Sequence, residues 1–110
     1  MYHKELLKGN TETLLLCLLS KEPLYGYQIV KEMARRSSGY FHFKEGTLYP
    51  ALHRLEKAGL VEGRWQETRN GMPRRYYYIT AKGQKVLSER MEEWRQFSTA
   101  VNRVMLPELG

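Results

Sequence analysis

The chain has 110 residues, a formal net charge of +6 and a hydrophobic share of 42%, enough for one modest core and no second lobe. Lys and Arg number 18 against 12 acids. Every acid is Glu, and the absence of Asp argues against a metal-dependent or carboxylate enzyme. The positive balance favours a polyanionic partner, although solubility alone would also account for it.

The single cysteine, Cys17, excludes a disulfide within one chain and fits a reducing compartment. No run approaches the ~20 apolar residues of a membrane span, and the N-terminus lacks the apolar stretch of a signal peptide. The expectation is a soluble cytoplasmic protein with no membrane partner.

In chain order, residues 2–8, with Leu6 and Leu7, are expected to form an extra turn or an arm. A first helix is predicted from near Asn10, an acceptable N-cap after Gly9, and carries residues 14–19 into the core. Cys17 lies inside that apolar run, where a thiol is more often inert packing than a redox sensor. Pro23 disfavours helix at Glu22 and ends the segment. A second helix runs from about residue 25 to 36, with Ile29, Val30 and Met33 on one face. Ser37-Ser38-Gly39 closes it with turn chemistry, and Tyr40-Phe41-His42-Phe43 forms an extended aromatic connector.

The third helix carries the most information. Leu48, Ala51, Leu52 and Leu55 recur at spacings of three and four and share a core-facing side. The remaining faces carry Thr47, Tyr49, His53, Arg54 and Lys57, groups suited to base edges and phosphates. Pro50 belongs in a first turn, which sets the helix start no earlier than about Gly46.

From Leu60 the pattern turns to strands, over residues 60–67 and 74–80. Asn70-Gly71 between them predicts a type I′ hairpin turn, with Pro73 in the tip. Arg69, Arg74 and Arg75 give the hairpin a basic rim with no acid among them. Alternation sends Tyr76, Tyr77 and Tyr78 to opposite faces and at least one of them into the core, which disfavours an RNA-stacking platform.

Thr80-Ala81-Lys82-Gly83 opens a long final helix to about Met105, stopped by Pro107. Leu87, Met91, Trp94, Phe97, Val101 and Val104 form one apolar stripe along it. A core this small cannot cover all of that stripe, so part of it is expected to meet another subunit.

Three helices followed by a two-stranded hairpin is the order of a winged helix-turn-helix, an α+β, mainly helical fold whose third helix enters the major groove. Its basic hairpin, the wing, follows the backbone or reaches a minor groove. Residues 1–80 form this unit, and residues 81–110 form a C-terminal dimerisation helix packed into it. The expected DNA contacts are Tyr25, Gln28, Lys44, Thr47, Tyr49, His53 and Arg54, with Arg69, Arg74 and Arg75 from the wing. His42 and His53 have no Cys or Asp companion for a metal. Ser37-Ser38 lacks a nucleophile's partners, and Gly46 belongs to no phosphate loop. No cofactor or catalysis is expected. The competing class is a winged helix that docks on proteins, for which three arginines in seven residues serve no purpose.

The chain resembles the PadR family of transcriptional regulators, in its short form with a single C-terminal helix. The likeness is carried by Leu7-Lys8-Gly9, residues 14–19, Tyr25-Gly26-Tyr27, residues 46–52 with Arg54-Leu55-Glu56, Gly59-Leu60-Val61, Arg74-Arg75-Tyr76-Tyr77 and Thr80-Ala81-Lys82-Gly83. The resemblance implies a cytoplasmic repressor that dimerises through the final helix and leaves its DNA operator when a small ligand binds. In one branch of the family a Trp on that helix lines a pore at the dimer interface and binds flat aromatic compounds. Trp94, with Phe97, resembles that position, and a plain packing role at a dimer seam is compatible with it.

Overall fold

The computed structural model describes residues 9–109. The expected arm at residues 2–8, including Leu7-Lys8 of the family motif, lies outside them. The elements are α1 (Thr11–Leu19), β1 (Leu24–Tyr25), α2 (Gly26–Arg36), α3 (Glu45–Lys57), β2 (Val61–Glu67), β3 (Pro73–Ile79) and α4 (Ala81–Met105), with a 3-10 turn at Pro107–Leu109.

The four leucines Leu15, Leu16, Leu18 and Leu19 of α1 are buried. Around them close Ile29 and Met33 of α2, Leu48, Ala51, Leu52 and Leu55 of α3, Leu24, Val61 and Tyr77 of the sheet, and Leu87 of α4. All of these side chains are at most 5% exposed, so they supply the hydrophobic stabilisation of the domain. Cys17 packs at the edge of this cluster. Burial pushes its thiol above the usual range, against weaker pulls from Arg36 and Lys21, which keeps it protonated and unreactive at neutral pH.

Three features differ from the sequence expectation. The sheet has three strands in the order β1-β3-β2, all antiparallel. Its extra strand is only Leu24–Tyr25, registered on Tyr77 and Tyr76. Two residues carry no readable period, so the pairing was invisible in sequence. Helix α3 starts at Glu45, which places Pro50 in the second turn rather than the first. Pro50 has no N–H for the Gly46 carbonyl, a loss tolerated here because both residues are exposed to water.

The hairpin turn is not type I′. Among the described residues only Ser38 outside glycine has positive φ, so Asn70 does not, while Gly71 does at 79°. The Gly71 N–H instead bonds the Thr68 carbonyl at 2.9 Å, and Thr68 Oγ1 donates to the Met72 carbonyl at 2.8 Å. The result is a five-residue loop, with Pro73 as the first residue of β3, a place where a missing N–H costs little. The aromatic connector carries Phe43 into the core, with Phe41 partly buried.

Helix α4 is capped by Thr80, whose hydroxyl accepts the Gly83 N–H at 3.0 Å. Only Gly83 and Leu87 of its 25 residues are buried. Leu87, grouped by spacing with the dimerisation stripe, is thus used in the chain's own core. Beyond it α4 runs out along the molecule, whose principal extents are 54 × 30 × 21 Å. No helix among the described residues is long and apolar enough to cross a membrane.

Candidate nucleic-acid interface

One hundred degrees of rotation per residue sorts the side chains of α3 into three faces. Leu48, Ala51, Leu52 and Leu55 point inward and are buried. Gly46, Pro50, His53 and Lys57 lie on the opposite side and are exposed. Thr47 and Arg54 form the flank toward α1, and Tyr49 and Glu56 form the flank toward α2 and the wing.

Each flank is tied down. Arg54 Nε donates to Glu12 Oε2 of α1 at 3.0 Å, so this expected base reader is drawn back in the free protein. Its side chain is still 58% exposed, and a surface pair of this kind is weak enough to release. Tyr49 leans over the start of α2: a Cβ at Gly26 would lie 2.1 Å from the Tyr49 hydroxyl oxygen. Gly26 is therefore needed for close approach, and Tyr49 remains 44% exposed beside it. Lys44 caps α3, its carbonyl accepting from the N–H groups of Thr47 and Leu48 at 2.9 Å, with its side chain exposed.

Strand alternation divides the wing arginines. Arg74, Tyr76 and Tyr78 occupy the outer face of β3, opposite Gln66, Arg64 and Glu62 of β2. Arg74 stacks over the Tyr25 ring at 4.4 Å, and Tyr25 also meets Tyr76 edge-on at 5.3 Å. Arg69 and Arg74 line one shallow groove with Glu67, Thr68, Asn70 and Tyr76. Arg75 faces inward with Tyr77 and binds Glu56 of α3 at 2.5 Å. It is thus separated from the two outward arginines with which its spacing grouped it. Burial, followed by the Glu56 charge, pushes the Tyr77 hydroxyl above the ordinary tyrosine range. The phenol stays neutral there and is a core residue.

Gln28 is also partly committed: its Oε1 accepts the Tyr25 N–H at 3.2 Å, one half of a capping box that starts α2. Two neighbours of this patch were missed by sequence reasoning as contact residues. Tyr27 is 63% exposed, stacks with Tyr25 at 6.5 Å and carries Lys31 over its ring at 5.3 Å. The available signal was the four-residue step from Tyr27 to Lys31, which places them on one helix face.

The structure therefore gathers Tyr49 of α3 with Tyr25, Arg69 and Arg74 around the α2–wing edge; Lys44 and His53 stay exposed elsewhere on α3, and Thr47 on its α1 flank. It turns Arg75 away. Among the described residues no group of His, Cys, Asp or Glu could hold a metal.

At the other end, α1 and α4 enclose a groove of about 760 Å³. Thr13, Leu14 and Cys17 line it from α1, and Met91, Trp94 and Phe97 from α4. The Trp94 and Phe97 ring centres are 6.0 Å apart.

The PadR-like transcriptional regulator family model matches residues 15–89. An uncharacterized protein of Lysinibacillus sphaericus is 32% identical over 105 residues, which is 96% of each chain. Among solved structures, a transcriptional regulator from Clostridium thermocellum superposes with a TM-score of 0.84 at 32% identity, over 93% of this chain and 99% of that one. A PadR-like transcriptional regulator from Bacillus cereus gives 0.82 at 34% identity, over 94% and 98%. The chain belongs to the PadR-like family of transcriptional regulators, DNA-binding proteins rather than enzymes.

Proposed function

We propose that the chain is a sequence-specific repressor acting in the cytoplasm as a homodimer, released from its operator by a small planar aromatic effector. In this reading the exposed side of α3 reads base edges in the major groove, and Arg69 and Arg74 hold the adjoining backbone. Helix α4 joins the two copies.

The observation that carries the proposal is the bare stripe on α4. Met91, Trp94, Phe97 and Val104 are 42%, 53%, 61% and 81% exposed along one helix. A run of large apolar side chains marks a surface that is covered in use. A second copy of the chain is the natural cover, because a two-fold contact pairs the stripe with itself and sets two α3 helices one half-site apart. The α1–α4 groove opens beside that stripe, with an indole and a phenyl ring to stack on a flat ligand. A ligand that favours a subunit spacing wrong for the operator lowers DNA affinity, and by linkage DNA lowers ligand affinity equally.

Sedimentation of the protein alone and with a selected operator duplex tests the reading. The expected species are a dimer and one dimer per operator. A monomer at micromolar concentration that binds a single half-site would overturn it.

A further inference from the structure

Between the recognition helix and the wing lies a polar contact made by an arginine whose spacing assigns it to DNA. Arg75 shares the inner face of β3 with Tyr77, and its Nη2 donates to Glu56 Oε2 at 2.5 Å. Glu56 stands seven residues after Tyr49, on the flank of α3 that faces the wing. The guanidinium can reach it because β2 has no side chain at Gly63: a Cβ there would lie 2.4 Å from Arg75 Nε and 2.5 Å from Nη2. The Tyr77 and Trp65 rings lie 5.8 and 5.9 Å from the guanidinium carbon. Arg75 and Glu56 side chains are 34% and 25% exposed, against 66% and 54% for the surface pair Arg95–Glu92. The strut thus spans three elements: α3 supplies the carboxylate, β3 the guanidinium and β2 the gap.

We propose that Arg75 is a positioning residue: held by Glu56 across Gly63, it sets the angle of the wing against α3 and so decides which phosphates Arg69 and Arg74 reach. It is not itself a phosphate ligand. Glu56 would repel a phosphate brought to the same guanidinium, whereas Arg74, on the opposite face, makes no ion pair among the described residues and stacks on Tyr25. The proposal rests on the DNA-binding reading above.

The test uses a duplex selected from random DNA by the wild-type protein, with binding followed by anisotropy over a salt series. The strut predicts that Glu56→Gln, Arg75→Gln and Gly63→Ala each weaken binding by about tenfold, as loosened contacts in one network do, with an unchanged log–log salt slope. Gly63→Ala adds only a methyl group and removes no charge, so its effect reports displacement of the guanidinium alone. The double variant Gly63→Ala/Arg75→Gln should bind no worse than Arg75→Gln. Phosphate-ethylation interference on Gly63→Ala should shift the positions beside the wing to other phosphates, equal in number, and keep those beside α3, a change that mere loss of stability would not produce.

A phosphate ligand gives the opposite signs. Glu56→Gln would then free Arg75 and tighten binding, Arg75→Gln would lower the slope by about one contact, and Gly63→Ala would leave the interference pattern intact; these results would overturn the proposal. Failure of the DNA reading is separate. It would show as wild-type retention on DNA that does not depend on salt, while Trp65 emission in a Trp94→Phe background would still shift alike in Gly63→Ala and Arg75→Gln if the strut exists. Trp65 emission unmoved by both changes would remove the strut itself.

Discussion

The carbonyl oxygen of Leu60 occupies the space that a side chain at Gly83 would need. A Cβ on Gly83 would lie 2.1 Å from that oxygen and 2.7 Å from Cγ1 of Ile79. The start of α4 therefore presses directly on the turn that leaves α3. Thr80 and Lys82 fasten it there, donating to the carbonyls of Gly59 at 2.7 Å and Ala58 at 2.9 Å. This junction ties the start of α4 to the turn that follows α3.

Gly83→Ala should consequently destabilise the fold by about 2–3 kcal/mol, the upper part of the range for overpacking, because the blocking atom is backbone and cannot rotate away. Urea denaturation measures it. An unchanged midpoint would show that the junction has slack.

Affinity for DNA should fall steeply with salt, at a log–log slope of about −0.9 per phosphate contact. Arg69→Ala and Arg74→Ala should each reduce that slope by about one contact per protomer and weaken all sequences alike. Tyr49→Ala should instead relax sequence preference, at about 1–3 kcal/mol for a lost base-edge contact. A protein-docking winged helix would show little salt-dependent retention on DNA in the first place.

Ending the chain after Glu89 should leave a folded monomer. The last buried residue of α4 is Leu87, and the cut removes the Arg90–Thr13 hydrogen bond of 3.5 Å and the α4 wall of the α1–α4 groove but no buried core residue. DNA affinity should drop because half-site spacing is no longer enforced. A truncated protein that still sediments as a dimer would move the interface elsewhere, with α1 the first place to look.

Planar aromatic compounds should quench Trp94 fluorescence and lower operator affinity by the same coupling factor that DNA imposes on them. Trp65, 66% exposed at the wing, contributes a background that Trp94→Phe isolates. Quenching that survives Trp94→Phe unchanged, or binding that leaves DNA affinity untouched, would reduce Trp94 to a packing residue.

Ser38→Gly should stabilise the protein. Ser38 closes α2 at a φ of +53°, a left-handed conformation that costs an L-residue about 1 kcal/mol relative to glycine. Its exposed side chain offers little to lose. A thermal melt with a lowered midpoint would show that the hydroxyl matters more than the strain.

The elements that rest on local chemistry were legible in the chain. The spacing of Leu48, Ala51, Leu52 and Leu55 identified α3 and its buried side, and Thr80 with Gly83 marked the start of α4, because a helix face and a cap are settled within one or two turns. The wing was legible from its two β-prone runs. Its loop was misread because Asn-Gly permits a type I′ turn without requiring one.

Partners far apart in the chain could not be read. Arg75 and Glu56 are 19 residues apart, and Arg54 and Glu12 are 42 apart. Their pairing depends on which faces α1, α3 and β3 turn toward one another once the leucine core has closed. Composition and spacing by themselves determined that the chain is basic, single-cored and built as a winged helix with a long apolar stripe. Only the tertiary structure decided that Arg74 faces out and Arg75 in, since neighbouring strand residues point to opposite sides and burial alone selects which side is which.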